Sequence, residues 1–164
     1  AGDSGEFVAV MRDGAPDPAL GEIFDLIAKH DLVLAMGHSS PEEVLALIPE
    51  ARRRGVEHIL ITHGLGQQPS REQIAEMVRQ GAIIELVWLA VYNGEFRLAE
   101  YTAAITEFGA SHFLLSSDLG QQNNPLHPDG LESFMDGLRR EGISDADIDT
   151  MIRHNPAKLL GLDP

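Results

Sequence analysis

The chain has 164 residues, 43% hydrophobic, 23% charged and 5% aromatic, enough for one soluble domain with a sizeable core. It falls short of the roughly 250 residues of a complete eight-unit β/α barrel. Twelve Lys and Arg stand against 26 Asp and Glu, and the resulting formal charge of -14 repels polyanions, which argues against a nucleic-acid partner. The absence of cysteine excludes disulfides, Cys-ligated zinc and thiolate nucleophiles together.

No apolar run reaches the length of a transmembrane span, and AGDSGEFVAV lacks the basic region and apolar core of a signal peptide. The expectation is a cytoplasmic protein that meets a small-molecule substrate and no membrane.

In chain order, Phe7 to Met11 is a first short apolar run, followed by the loop DGAPDP. Leu20, Ile23, Phe24 and Ile27 recur at helical spacing, predicting a helix to about Lys29. Leu32 to Met36 reads as a strand ending in Gly37-His38-Ser39-Ser40. Ser40, Pro41 and Glu43 together predict a capped helix start, and that helix stops at Gly55, with Arg52, Arg53 and Arg54 meeting its carbonyl end. His58 to Thr62 is a third strand closed by His63-Gly64. Ser70 with Gln73 opens a helix ending near Gly81.

Ala82 to Ala90 follows as a fourth strand, apolar apart from Glu85. Leu98 to Phe108 is helical and Gly109 breaks it. His112 to Ser116 supplies a fifth strand followed by Ser117-Asp118. Leu131 to Arg140 is helical, Ser144 with Asp147 caps another helix, and a brief terminal helix lies around Lys158 to Leu160.

Successive strand ends fall about 25 to 30 residues apart, the length of a strand, a helix and two short loops. Five such units and their near-continuous apolar strands predict a parallel sheet in an α/β fold. Periodicity leaves open whether the sheet is open and doubly wound or part of a barrel. No Gly-rich nucleotide loop follows the first strand, which disfavours dinucleotide and P-loop readings.

In parallel α/β proteins, function gathers at the carboxyl ends of strands. His38, His63 and Asp118 each follow a strand there, and imidazole with carboxylate suits zinc or another divalent transition ion. Each has a structural alternative as a hydrogen-bonded turn residue. His58 and His112 lie at strand starts, on the opposite rim, and His30 and His154 at helix ends. His127 sits in QQNNPLHPDG, a loop placed to lie over the pocket. Glu85, inside an apolar strand, requires a partner, because burying a lone carboxylate is costly. A structural partner is favoured over a metal for it. Trp88 and Tyr92, near the same strand end, are candidates for an apolar pocket wall, with core packing equally open for the tryptophan.

GHSSPEEVLALIPEARRRGVEHILITHG, LLSSDLGQQNNPLHPDGL and NPAKLLGL together resemble the carboxyl-terminal part of metal-dependent hydrolases of the amidohydrolase superfamily, closest to a poorly characterised prokaryotic branch. The resemblance covers about Leu20 to Leu162. It implies an incomplete (β/α) barrel lacking its first strands, with residues 1–164 forming one α/β domain. By the same match His38 and His63 fall at the histidines of the fifth and sixth strands, and Asp118 at the eighth-strand aspartate. The family's His-x-His pair is absent from this sequence, and Phe7 to Met11 offers no Lys, Glu or His.

The resemblance implies a divalent metal, foremost zinc, that activates water against an ester, amide, lactone or phosphoester bond. Asp118 then serves as general base and acid, and His63 as ligand or charge stabiliser. Two alternatives stand beside it. One is a non-catalytic ligand-binding domain whose sheet is completed by a partner chain or a second copy, and the other is lyase or decarboxylase chemistry on the same scaffold.

Overall fold

Short apolar runs bounded by turn residues alternate with amphipathic stretches, and in the computed structural model, which describes residues 9–162, they become strands and helices in turn. Strands β1 (Met11–Arg12) and β2 (Ala15–Pro16) form a minimal antiparallel pair. Asp13 and Gly14 turn it with φ of 53° and 80°, the left-handed conformations that an Asp-Gly hairpin turn uses. Helix α1 (Leu20–Lys29) then leads to strand β3 (Val33–Ala35).

Helix α2 (Pro41–Arg53), strand β4 (His58–Ile61) and helix α3 (Arg71–Arg79) follow. Both helices start with the predicted reciprocal cap. The Ser40 and Ser70 hydroxyls accept the N–H groups of Glu43 and Gln73, whose side chains accept the serine N–H groups in return. Strand β5 (Ile83–Val87) runs directly into helix α4 (Trp88–Tyr92). Helix α5 (Leu98–Phe108), a 3-10 turn at Ala110–His112 and strand β6 (Phe113–Ser116) come next. Helices α6 (His127–Arg140), α7 (Asp145–Asp149) and α8 (Asn155–Leu159) close the chain, the last two joined by a π-helical turn at Thr150–His154.

The main sheet holds four parallel strands in the order β3-β4-β5-β6, with Val33 opposite His58, Leu60 opposite Ile83 and Glu85 opposite Leu114. Sequential order with every strand parallel is an unclosed portion of a (β/α) barrel wall. The two faces differ. Leu34, Ile59, Ile61, Ile84, Leu86, Phe113 and Leu115 belong to the core, packed against Val44, Ile48, Met77, Ile105, Phe134 and Leu138 of the helices. Val33, Leu60, Ile83 and Leu114, on the alternate face, lie outside that core and are only partly buried, and Ala35 beside them is exposed. Such a face corresponds to the interior of a barrel.

The rim at the strand starts is tied by two side chains. Arg52 donates from Nη1 to the carbonyls of Val56 and Glu57 (3.1 and 2.6 Å) and from Nη2 to those of Gln80 and Gly81 (3.3 and 2.9 Å). The end of α2 is thereby bound to the end of α3. Buried Asn155 donates from Nδ2 to Ala110 O at 2.9 Å and Phe113 O at 2.6 Å, fixing the start of β6 to α8.

Several boundaries differ from the sequence expectation. Phe7 and Val8 of the expected first strand lie outside the described residues, and Met11 pairs with Pro16 in the hairpin, not with the parallel sheet. The main sheet therefore has four strands among the described residues where five units were expected. Ala82–Ala90 is not one strand: it ends at Val87, and Trp88 begins a helix. The helix expected from Leu131 starts at His127. No helix of the described residues is long and apolar enough to cross a membrane.

Candidate functional site

The carboxyl ends of β3, β4 and β6 each turn through a left-handed residue: Gly37 with φ 58°, His63 with φ 50° and Asp118 with φ 51°. For His63 and Asp118 this conformation is costly, and it persists only where neighbouring structure enforces it. At His63 the enforcement comes from β5. Glu85 Oε2 accepts the His63 N–H at 3.0 Å, and Glu85 O accepts the Gly64 N–H at 3.1 Å. Gly64 itself leaves no room for a side chain, since a Cβ there would stand 2.4 Å from Ile84 Cγ2.

At the β3 end, Ser39 Oγ donates to Met36 O at 2.9 Å, shaping the turn that carries His38. Beyond β6, Leu89 N donates to Ser117 O at 3.1 Å, and Leu119 is buried close under Gly130 of α6. Asp118 lies between these two anchored neighbours.

These turns bring the candidate residues together on one rim. His63 Nε2 lies 3.7 Å from Asp118 Oδ2, with side-chain exposures of 26% and 41%. The His38 and His63 rings lie 4.9 Å apart, centroid to centroid, at an interplanar angle of 33°. At 3.7 Å the histidine and aspartate form an ion pair when the imidazole is protonated, and no direct hydrogen bond. Two imidazoles and a carboxylate are zinc donors in kind. Even so, no three His, Asp or Glu side chains among the described residues form a group spaced to hold one ion. The donors present do not by themselves make a metal shell.

The remaining predicted residues divide. Glu85 has the structural partner expected of it, and that partner is the main chain of His63. Trp88 packs against Phe134 at 5.4 Å between ring centroids, so its indole is engaged in the core. Tyr92 is half-exposed at the end of α4. His127 is the first residue of α6, exposed, where the preceding loop was expected to carry it over the pocket.

His58 lies at the opposite rim beside Asp31, Nε2 to Oδ1 3.3 Å. Sequence reasoning passed over Gly64 and the left-handed backbone at His63 and Asp118. The His-Gly dipeptide closing β4 was the available signal for the first.

Four parallel strands in sequential order, helices on one face and His/Asp side chains on the carboxyl rim define an α/β protein with the wall of a (β/α) barrel. The chain belongs to a family of unknown function, DUF6282, whose pattern matches residues 3–85. No curated protein matches it.

Among solved structures it is similar to an amidohydrolase from Burkholderia multivorans in two crystal forms, one with bound HEPES and one with bound zinc. Both give a TM-score of 0.60 at 13% identity and cover 90% of this chain. The chain spans 59% and 58% of the length of those two structures. A dihydroxybenzoic acid decarboxylase from Polaromonas sp. JS666, with bound manganese and the inhibitor 2-nitroresorcinol, follows at TM-score 0.48 and 18% identity, covering 90% of this chain and 47% of that one. The amidohydrolase likeness shows the fold, an unclosed portion of a (β/α) barrel.

Proposed function

We propose that the chain carries part of the active site of a metal-dependent hydrolase of the amidohydrolase type, with His38, His63 and Asp118 on the working rim. The observation that carries this reading is the approach of His63 and Asp118 to 3.7 Å from strands that are not neighbours, each from a left-handed turn. Strained backbone held by its surroundings at a strand's carboxyl end is a recurrent mark of functional sites.

In this reading a small molecule with an ester, amide, lactone or phosphoester bond lies over the rim. The Asp118 carboxylate takes the proton of the attacking water and returns it to the leaving group. His63 and His38 face the charge that develops on the attacked oxygen. Zinc is the ion that these donors suit, and the zinc-bound amidohydrolase of like fold supports that choice. Its shell would need donors beyond those described.

Glu85 backs the rim from β5, and Tyr92 and His127 serve as walls of the pocket, with Trp88 packed in the core behind them. Residues 1–164 act as one α/β domain, and the absence of cysteine favours a cytoplasmic setting. A second reading, that a partner chain or another copy completes the barrel, is favoured by the uncovered sheet face of Val33, Leu60, Ile83 and Leu114.

The test is hydrolysis of a panel of 4-nitrophenyl esters, lactones and phosphoesters, with zinc added, by the unsubstituted protein and by His63→Asn and Asp118→Asn. Turnover that drops about a hundredfold or more in both variants is expected. Equal turnover in all three proteins rejects the reading.

A further inference from the structure

Glu85 is the only charged side chain of β5, and it takes two consecutive amides of the neighbouring turn. Its Oε2 accepts the His63 N–H at 3.0 Å and its main-chain oxygen accepts the Gly64 N–H at 3.1 Å. The β4-β5 ladder pairs Leu60 with Ile83 and Ile61 with Ile84, so at Thr62 and His63 the chain is leaving the sheet. An amide turned inward there needs an acceptor, and a carboxylate is a strong one.

We propose that Glu85 is a positioning residue: by accepting the His63 N–H with its carboxylate, beside the main-chain bond that holds Gly64, it fixes the left-handed turn at His63 and so aims the imidazole toward Asp118 and His38. The inference rests on the reading of His63 as a site residue.

The same geometry separates this role from two others. A metal ligand would present its oxygens to the ion, whereas here one is committed to a main-chain N–H. A space-filling residue would be replaceable by any side chain of equal length. The positioning role asks only for a strong acceptor at the end of a two-carbon stem, which glutamine keeps and methionine, of similar length but with only a weakly accepting thioether, does not.

The experiment compares full-length Glu85→Gln and Glu85→Met with the unsubstituted protein by NMR, reading amide hydrogen exchange at His63 and Gly64 and the ring signals of His63. Methionine keeps the length and apolar fit, and the amides of Ile59 and Ile84 report whether the sheet is intact. In Glu85→Met the His63 amide is expected to exchange about tenfold faster or more, with its ring signals shifted, while Glu85→Gln stays close to the original values.

An unchanged His63 amide in Glu85→Met, or equal loss of protection in both variants, overturns the proposal. No turnover enters these measurements. A protein in which His63→Asn and Asp118→Asn keep full hydrolysis would refute the hydrolase reading and leave the exchange result standing.

Discussion

His63 Nε2 and Asp118 Oδ2 stand 3.7 Å apart although β5 lies between the strands that carry them. Groups that act on one substrate as a unit lose activity together when either is removed. In a double-mutant cycle on kcat/KM, His63→Asn, Asp118→Asn and the pair should all fall to within a few-fold of one another. Losses that multiply in the double variant would show the two residues acting independently.

Gly64 lies where the turn carrying His63 presses on β5. A methyl group there meets Ile84 Cγ2 at 2.4 Å and Ile61 O at 3.2 Å, so Gly64→Ala forces backbone or strand apart. Overpacking of this kind costs about 1–3 kcal/mol. Urea unfolding should show that loss as a lower midpoint with an unchanged slope.

Asn155 is buried at 6% exposure and satisfies the carbonyls of Ala110 and Phe113. Asn155→Ala leaves both without that donor and is expected to cost about 2–3 kcal/mol, measured by chemical denaturation. Asn155→Asp should be worse than alanine at neutral pH, because it sets a carboxylate against two carbonyl oxygens. An aspartate variant as stable as the original would refute this account of the residue.

Acid sensitivity should have a defined window. Arg53, then Arg54, by hydrogen bonding to Glu50, hold its carboxyl down from the usual 4.5 to about 2. Arg79, then Gln80, do the same for Glu76, from 4.5 to about 2. A carboxyl held below its unfolded value contributes stability that is present above about pH 4.5 and is lost as pH falls through about 2. These pairs are exposed and screened by salt. Replacing both glutamates by glutamine should flatten the fall of Tm between pH 5 and pH 2 at low ionic strength, and the difference should shrink as salt is added.

What the sequence disclosed followed the range of the interactions. The caps at Ser40, Ser70 and Ser144 were legible because all their atoms lie within three residues of one another. The hairpin at Asp13-Gly14 was equally local and carried an Asp-Gly signal, but the two prolines of DGAPDP argued for a loop. The end of β5 was not legible, because Ala82–Ala90 is apolar throughout except at Glu85 and periodicity cannot separate a buried strand from a buried helix. Tyr101, 14 residues on, brackets that end by accepting from Val87 N and donating to Val87 O.

The helix start at His127 was signalled by Pro128 in its first turn, a position proline favours. The strand-end rule was enough to put His63 and Asp118 on the same rim, where their side chains stand 3.7 Å apart. That Glu85 needed a partner was legible from its apolar strand. That the partner was the amide of a residue 22 positions earlier depended on the register of β4 against β5, which no local pattern encodes.

The one-sided clothing of the sheet also sets how the protein behaves as a colloid. At neutral pH the formal charge of -14 holds copies of the chain apart. Near the isoelectric point, about pH 4.7, that repulsion vanishes, while Val33, Leu60, Ile83 and Leu114 remain as apolar as before. Turbidity should therefore rise first around that pH, at the upper edge of the range from about 4.5 down to about 2 over which the Glu50 and Glu76 contributions drain away, so that clumping precedes unfolding as the solution is acidified.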